Sequence, residues 1–238
     1  MNQKRRKERI DRGIKAVTDD IYCLSSFREI AYLVLPRVLP IIGLLLLVFL
    51  VPLYWKKVLV ITFIMGIMAI SWDFLASCGL ISLGQALFFA VGAYLAGGLN
   101  HYLGWPVYVT LPLATLLGGV ISTMLIFPAL RLRGMYFSMV TLIIPLMLMR
   151  IVEATKIFGG TEGLSALSSL PDLPFSIGLS MLALLATLFG LRRLVASDYG
   201  MIFIALKDND RAVEASGLDT LWFKVQAIYL GSAICAFC

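Results

Sequence analysis

Long apolar stretches with few charges constrain the fold of this chain more than any other feature of its sequence. Six of them follow residue 37, and each approaches the ~20 apolar residues that a helix needs to cross a bilayer. They cover residues 38–54, 58–76, 80–100, 106–130, 135–151 and 176–191, of which the last is short for a span. We therefore predict an all-α polytopic membrane protein, folded as a multi-helix transmembrane bundle.

A seventh apolar run starts near Val225 and stops at Cys238, before it could cross a membrane. A helix that ended in lipid would leave its last carbonyl groups without hydrogen-bond partners. We therefore expect the transmembrane domain, residues 38–238, to be incomplete at its C-terminal end.

The composition separates the chain from soluble proteins. Hydrophobic residues make up 60% of it and charged residues 14%, whereas a soluble domain is about a quarter charged. The net charge of +6 comes mainly from a basic arm, residues 1–37, where a membrane protein carries the Lys and Arg residues that fix its topology. The expected surroundings are therefore a lipid bilayer, and nucleic-acid binding is not expected.

The distribution of Lys and Arg predicts the orientation of the spans. With a cytoplasmic N-terminus, three cytoplasmic segments hold 9, 2 and 5 of the 20 basic residues: 1–37, 131–134 and 192–224. The loop 153–175 then lies outside, and its glycines, prolines and polar residues suit a contact surface or a lid. Lys56 and Lys57 fall in the other outer loop, where long side chains can reach the interface.

The cytoplasmic segment 192–224 is electrically neutral, with five basic and five acidic residues. Within it, Asp208, Asn209 and Asp210 are good N-cap residues, and Gly217 is a good residue to follow a last helical turn. The helix between them would have only six or seven residues, so it must dock on another surface to be stable. That surface is either its own helix bundle or a partner protein.

Residues 71–98 combine apolar residues with Gly, Ser and Ala. Four small residues share one helical face, which predicts close packing against another helix: Ala86, Ala90, Ala93 and Gly97. Ser82, Gly84 and Gln85 stand at the start of this helix. Polar and flexible residues at membrane depth are typical of broken or re-entrant segments that line a path, so we predict such a segment here.

Four motifs between residues 65 and 235 resemble the permease subunits of branched-chain amino acid ABC importers. GLISLGQALFFAVGAYLAG at 79–97 is similar to the family's S-L-G-H-x-x-F-x-x-x-G-A-Y signature, and LRLRGMYFSMVTL at 130–142 to its L-R-L-R-G-x-Y-F-A-x-V-T-L segment. FGGTEGLS at 158–165 resembles the G-G-x-x-G-L loop, and ALKDNDRAVEASGL at 205–218 resembles A-I-R-E-N-E-x-A-A-E-A-L-G. The family commonly has His where this chain has Gln85. Since only His titrates near neutral pH, a protonation role at this position is in doubt.

The resemblance implies an ABC importer permease fold in the bacterial inner membrane, forming half of the path for branched-chain amino acids. It also implies a second homologous permease, two cytosolic ATP-binding subunits and a periplasmic substrate-binding protein as partners. Coupling to an ATP-binding subunit is expected at Asp208, Asn209, Asp210, Ala212, Glu214, Ala215 and Gly217. The substrate path is expected at Ser82, Gly84, Gln85, Phe88 and Gly92, and a conserved external loop of the family corresponds to Gly159, Gly160 and Gly163.

The sequence offers little for catalysis or for a cofactor. It contains one His and no G-x-x-x-x-G-K-[ST] motif, so ATP hydrolysis is expected in separate subunits and no cofactor is expected. Cys235 and Cys238 form a C-x-x-C, but in an apolar run without a second pair, which favours buried packing over a metal site.

Other functions stay open at this point. Within the same importer type, the substrate could instead be urea, an amide or another amino acid. A secondary transporter driven by an ion gradient would need carboxylates within the membrane, for which Asp73 is the main candidate. A membrane scaffold would bind partner subunits without moving any substrate.

Overall fold

The computed structural model describes residues 43, 52–132, 134–156, 159–160, 163–164 and 172–238. The predicted basic arm and nearly all of the first apolar run lie outside these residues. All regular secondary structure in the described part of the chain is helical, which confirms the predicted all-α class. Its α-helices are α1 (Leu53–Ser77), α2 (Gln85–Leu103), α3 (Val107–Ile126), α4 (Met135–Thr155), α5 (Leu173–Val195), α6 (Asp198–Asp208), α7 (Asp210–Ala215) and α8 (Thr220–Phe237).

Six of these helices are long and apolar enough to cross a membrane: α1, α2, α3 with the 3-10 helix Phe127–Arg131 that continues it, α4, α5 and α8. Several predicted limits were wrong. Lys56 and Lys57 lie within α1 rather than in a loop, and the third run becomes helical only at Gln85 instead of Leu80. The sixth run is a full span of 23 residues, α5, and not a short one.

The last apolar run, which looked cut short in the sequence, forms the helix at the centre of the bundle. It begins at Thr220 instead of Val225, and α8 packs against α1, α2 and α3. Two hydroxyl groups tie it to its neighbours: Ser71 Oγ donates to Gly231 O at 2.7 Å, and Ser232 Oγ donates to Gly119 O at 3.2 Å. Such bonds stabilise a membrane bundle because a buried hydroxyl group finds no water molecule there as a hydrogen-bond partner.

Close approach between α2, α3 and α8 depends on glycine. A Cβ atom on Gly92 would lie 2.3 Å from Ala236 O, and one on Gly118 would lie 2.8 Å from Ala236 Cβ. Of the predicted small-residue face, Gly97 is buried and Ala90 half-buried, whereas Ala86 and Ala93 are exposed, so only part of this face packs within the chain. The backbones instead meet on the face that carries Gly92, which is rotated away from the predicted one.

Helix α4 stands at the edge of this bundle. Of its residues only Phe137 and Thr141 are buried, and both lie near its N-terminal end. That end reaches the non-helical connection between α1 and α2, where the residues predicted to line a path begin.

Candidate functional site

The chain leaves the helical conformation between α1 and α2, over residues 78–84. Gly79 has a φ of +78°, a conformation that residues with a Cβ rarely adopt, and a Cβ there would also lie 2.9 Å from Lys207 Cα. Leu80 and Ser82 are buried whereas Ile81 and Leu83 are exposed, so one side of this connection packs against protein and the other side does not. The break was predicted at residues 77–79 and extends five residues further.

Neighbouring side chains supply the hydrogen bonds that the broken segment lacks. Ser138 Oγ, on α4, donates to Ile81 O at 2.6 Å, and Trp72 Nε1, on α1, donates to Ser82 O at 2.8 Å. The Leu83 N–H donates to Thr141 Oγ1 at 3.1 Å. The Gly84 N–H donates to Ser82 Oγ at 3.1 Å. Irregular backbone in a membrane protein is tolerated where the protein satisfies its polar groups in this way.

The residues predicted for the substrate path lie together at this break and along the first two turns of α2. Ser82, Gly84, Phe88 and Gly92 are buried against neighbouring elements; a Cβ on Gly84 would lie 2.6 Å from Thr141 O. In this conformation they pack the bundle, and their role in a path stays a prediction.

Gln85 is the polar side chain at the first turn of α2. Its Nε2 donates to Met68 O at 3.3 Å, while its Oε1 is buried with no hydrogen-bond partner among the described residues. Cys235 Sγ lies 3.6 Å from the backbone oxygen of Gln85, so this cysteine is part of the packing between α8 and α2, as expected.

The segment 192–224, predicted to be cytoplasmic, contains a helix that sequence reasoning missed. Helix α6 begins after Ser197, carries Asp198 in its first turn and Lys207 in its last, and buries Gly200, Phe203 and Leu206. Those three buried residues recur at a spacing of three, and the charges suit the helix dipole, so the signal was present in the sequence.

The short helix predicted after it is present as α7. The Asn209 side chain caps it by accepting from Arg211 N at 3.1 Å and Ala212 N at 3.3 Å. Gly217 follows the last turn with a φ of +87°, as predicted, whereas Asp208 belongs to the end of α6. Asp219 then caps α8 by accepting from Leu221 N at 3.0 Å.

Most of the residues predicted for coupling point outward. The exposed ones are Asp208, Asn209, Ala212, Glu214, Ala215 and Gly217. Val213, which was not among them, is 7% exposed and anchors α7 in the apolar core. The sequence left open whether this helix docks on its own bundle or on a partner protein. In the structure one side of α7 packs on the bundle and the other side is exposed, so the two alternatives do not exclude each other.

Asp210 differs from the other residues of this group because it faces the bundle. Its Oδ2 accepts from Lys224 Nζ, on α8, at 2.5 Å, and both side chains are largely buried. Sequence reasoning counted Lys224 only as a topogenic charge. Its position four residues inside an apolar helix was the available signal, because a cation there needs a partner.

The broken segment and the coupling region, which are far apart in the sequence, meet around one cavity of about 380 Å³. Residues of the break (Cys78, Gly79, Leu80), of the loop before α4 (Leu132, Gly134) and of the α6–α7 corner (residues 206–211) line it together with Lys224. The structure therefore brings the start of the broken segment and the first residues predicted for coupling together at one end of the bundle, whereas the residues predicted for the path do not line this cavity.

The external loop lies largely outside the described residues. Gly159, Gly160 and Gly163 are described, and all three have positive φ values, of +85°, +60° and +71°. At the end of the preceding helix, Arg150 Nη1 lies 2.9 Å from Glu153 Oε2.

Comparison with known proteins gives two kinds of match. The family described as "Branched-chain amino acid transport system / permease component" matches residues 54–238. The high-affinity branched-chain amino acid transport system permease proteins LivM of Salmonella typhimurium (strain LT2) and Escherichia coli (strain K12) are each 32% identical over 193 residues. These alignments cover 67% of this chain but 45% of each relative, so the chain spans less than half the length of the curated relatives it matches. No solved structure matches.

The family match and the described helices agree. The matched region includes the broken segment, the six helices able to cross a membrane and the α6–α7 corner. The 32% identity with both LivM proteins extends over about two thirds of this chain, which is enough to indicate a common family. The chain therefore belongs to the permease component family of branched-chain amino acid transport systems, as a multi-pass membrane protein.

Proposed function

We propose that this chain is a membrane permease subunit of an ATP-driven importer and forms half of the translocation path for branched-chain amino acids. It would pair with a second, homologous permease and bind two cytosolic ATP-binding subunits. A periplasmic binding protein would deliver the substrate at the outer face of the bacterial inner membrane, and the N-terminus would be cytoplasmic.

One observation carries this proposal: α7 is a capped helix of six residues whose outward side is exposed while its inner side is anchored. A helix this short gains little from its own hydrogen bonds and must be held by tertiary contacts. Its exposed alanines, Ala212 and Ala215, allow a partner to approach the backbone closely, and Glu214 can pair with a basic residue across the interface.

The mechanism follows from how α7 is attached. Closure of the ATP-binding subunits would move α7, which is joined to α8 through a short connection at residues 216–219. Because α8 packs on α1, α2 and α3, such a movement would rock these helices between outward-open and inward-open arrangements. A branched-chain amino acid is a zwitterion with an apolar tail, which a path of helix backbone, Ser82, Gln85 and apolar walls could pass without tight binding.

Substitutions on α7 should uncouple transport from ATP hydrolysis. Gly217→Val forces a side chain into a left-handed conformation, at a cost of roughly 1 kcal/mol, and Glu214→Lys reverses a charge on the exposed side. We expect both variants to insert in the membrane normally, but to lose most of the substrate-stimulated ATPase activity and much of the pull-down of the ATP-binding subunit. Full stimulation and full pull-down in both would show that α7 packs only on its own bundle.

Gly163→Val is the matched control for Gly217→Val. Gly163 also has a positive φ, +71°, and, as at Gly217, a Cβ added there would have no atom of another described residue within 4 Å. It lies in the loop on the other side of the predicted membrane, so this variant should keep full pull-down of the ATP-binding subunit.

The orientation of the chain is tested by labelling with a thiol reagent that does not cross membranes. In a chain whose native cysteines are replaced by alanine, Lys156→Cys should react from outside intact cells, because Lys156 is exposed at the end of α4. Ala215→Cys, exposed on α7, should react only after the cells are opened. The reverse pattern would contradict a cytoplasmic N-terminus.

A further inference from the structure

Lys224 is a cation held inside the bundle. It lies in the first two turns of α8 and is 9% exposed. Its amine contacts the carboxylate of Asp210, whose side chain is 16% exposed, and the two residues belong to different helices. This ion pair joins the first turn of the predicted coupling helix α7 to the central membrane helix α8.

Helix α7 also packs against α6 and α8. Val213 is its single buried residue, and residues 216–219 link its end to α8. On the side of Asp210, a cavity of about 380 Å³ lies between the α6–α7 corner, the broken segment and the loop before α4. The corner touches the broken segment where Gly79 lies against the backbone of Lys207, and the ion pair with Lys224 adds a direct contact from α7 to α8.

A buried ion pair is a poor means of gaining stability. The cost of removing two charges from water nearly cancels their attraction, and neutral side chains of similar size often serve as well or better. What a short ion pair adds is a defined geometry: α7 can keep both charges satisfied only while it stays in place against α8. Loss of one partner leaves the other charge buried and unpaired, which is the worse outcome.

We propose that Asp210 and Lys224 are positioning residues that clamp α7 to α8, so that a movement of α7 is delivered to the membrane helices. The proposal rests on the proposed function, because it assumes that a partner moves α7. The far end of α8 contacts the path region directly, where Ala236 meets Gly92 and Cys235 meets Gln85. The clamp therefore connects the cytoplasmic surface to the residues expected to line the path.

The test uses the double variant Asp210→Asn/Lys224→Met, which removes both charges of this pair together. The complex is reconstituted in liposomes with the second permease and the ATP-binding subunits encoded with this chain, and leucine-loaded binding protein is the stimulus. We expect the double variant to lose stimulation about fivefold or more. Asp210→Glu, which keeps the charge, should retain stimulation. Glu153→Gln, which breaks the exposed Arg150–Glu153 pair within one helix, is the matched control and should change nothing.

A second measurement tests the clamp without any partner. Amide hydrogen exchange of residues 211–217 in the purified chain should be about tenfold faster in the double variant than in the wild type, while exchange in α1 and α3 stays the same. Unchanged exchange would overturn the clamp, and faster exchange with full stimulation would overturn its role in transmission. If the double variant does not fold, Asp210→Asn against Asp210→Glu gives the same comparison. A wild-type chain that binds no ATP-binding subunit would refute the proposed function, and the exchange measurement would still decide whether α7 is clamped.

Discussion

Replacing Gly92 with alanine should destabilise the membrane bundle severely, although the change adds a single methyl group. The new Cβ would lie 2.3 Å from the backbone oxygen of Ala236 and 2.6 Å from its Cα, so two helix backbones would have to separate. Overpacking a tight core commonly costs ~1–3 kcal/mol, and here no flexible side chain can move aside to reduce that cost. We expect a fall of several degrees in the thermal midpoint in detergent, measured by loss of the monodisperse peak in size-exclusion chromatography.

Gly178→Ala is the control for this prediction. Gly178 lies on the exposed side of α5, and a Cβ added there would have no neighbouring atom within 4 Å among the described residues. The same chemical change should therefore be neutral or stabilise the chain by about 0.5–1 kcal/mol, because alanine favours the helix. Equal midpoints for the two variants would mean that α2 and α8 are not in contact at Gly92.

Replacing Thr141 with valine should have the second largest effect, through the broken segment between α1 and α2. Valine keeps the shape of the side chain but removes the hydroxyl that accepts from the Leu83 N–H at 3.1 Å. Thr141 is fully buried, so no water can replace the lost acceptor, and a buried unsatisfied donor costs ~1–3 kcal/mol. We expect a lower thermal midpoint and faster amide exchange at residues 80–84.

Thr155→Val, at the other end of the same helix, provides the comparison. The Thr155 hydroxyl donates to Ile151 O within α4 at 2.7 Å and is exposed, so its loss should change the midpoint very little. If Thr141→Val were as harmless as Thr155→Val, the broken segment would not depend on α4 for its hydrogen bonds.

Much of the architecture could be predicted from the order of the residues. Apolar runs of about 20 residues have few alternatives to membrane-spanning helices, because lipid offers no partner for a free backbone group. The limits of α7 could be predicted equally well, because each depends on residues adjacent in the sequence. Asn209 caps the first turn, and Gly217 adopts the left-handed conformation after the last turn. Structural features that depend on a few consecutive residues can therefore be predicted from the sequence alone.

Contacts between distant segments were decided by the tertiary structure. The sequence indicated a small-residue face on α2 but not the close approach at Gly92, because Gly92 matters only through Ala236, more than 140 positions later. For the same reason Lys224 looked like a topogenic charge until its contact with Asp210 was seen, and Ser138 and Thr141 looked like ordinary helix residues until the broken segment lay beside them. Helical periodicity states which residues share a face, but only the packing of the helices determines which face is buried and which polar groups meet there.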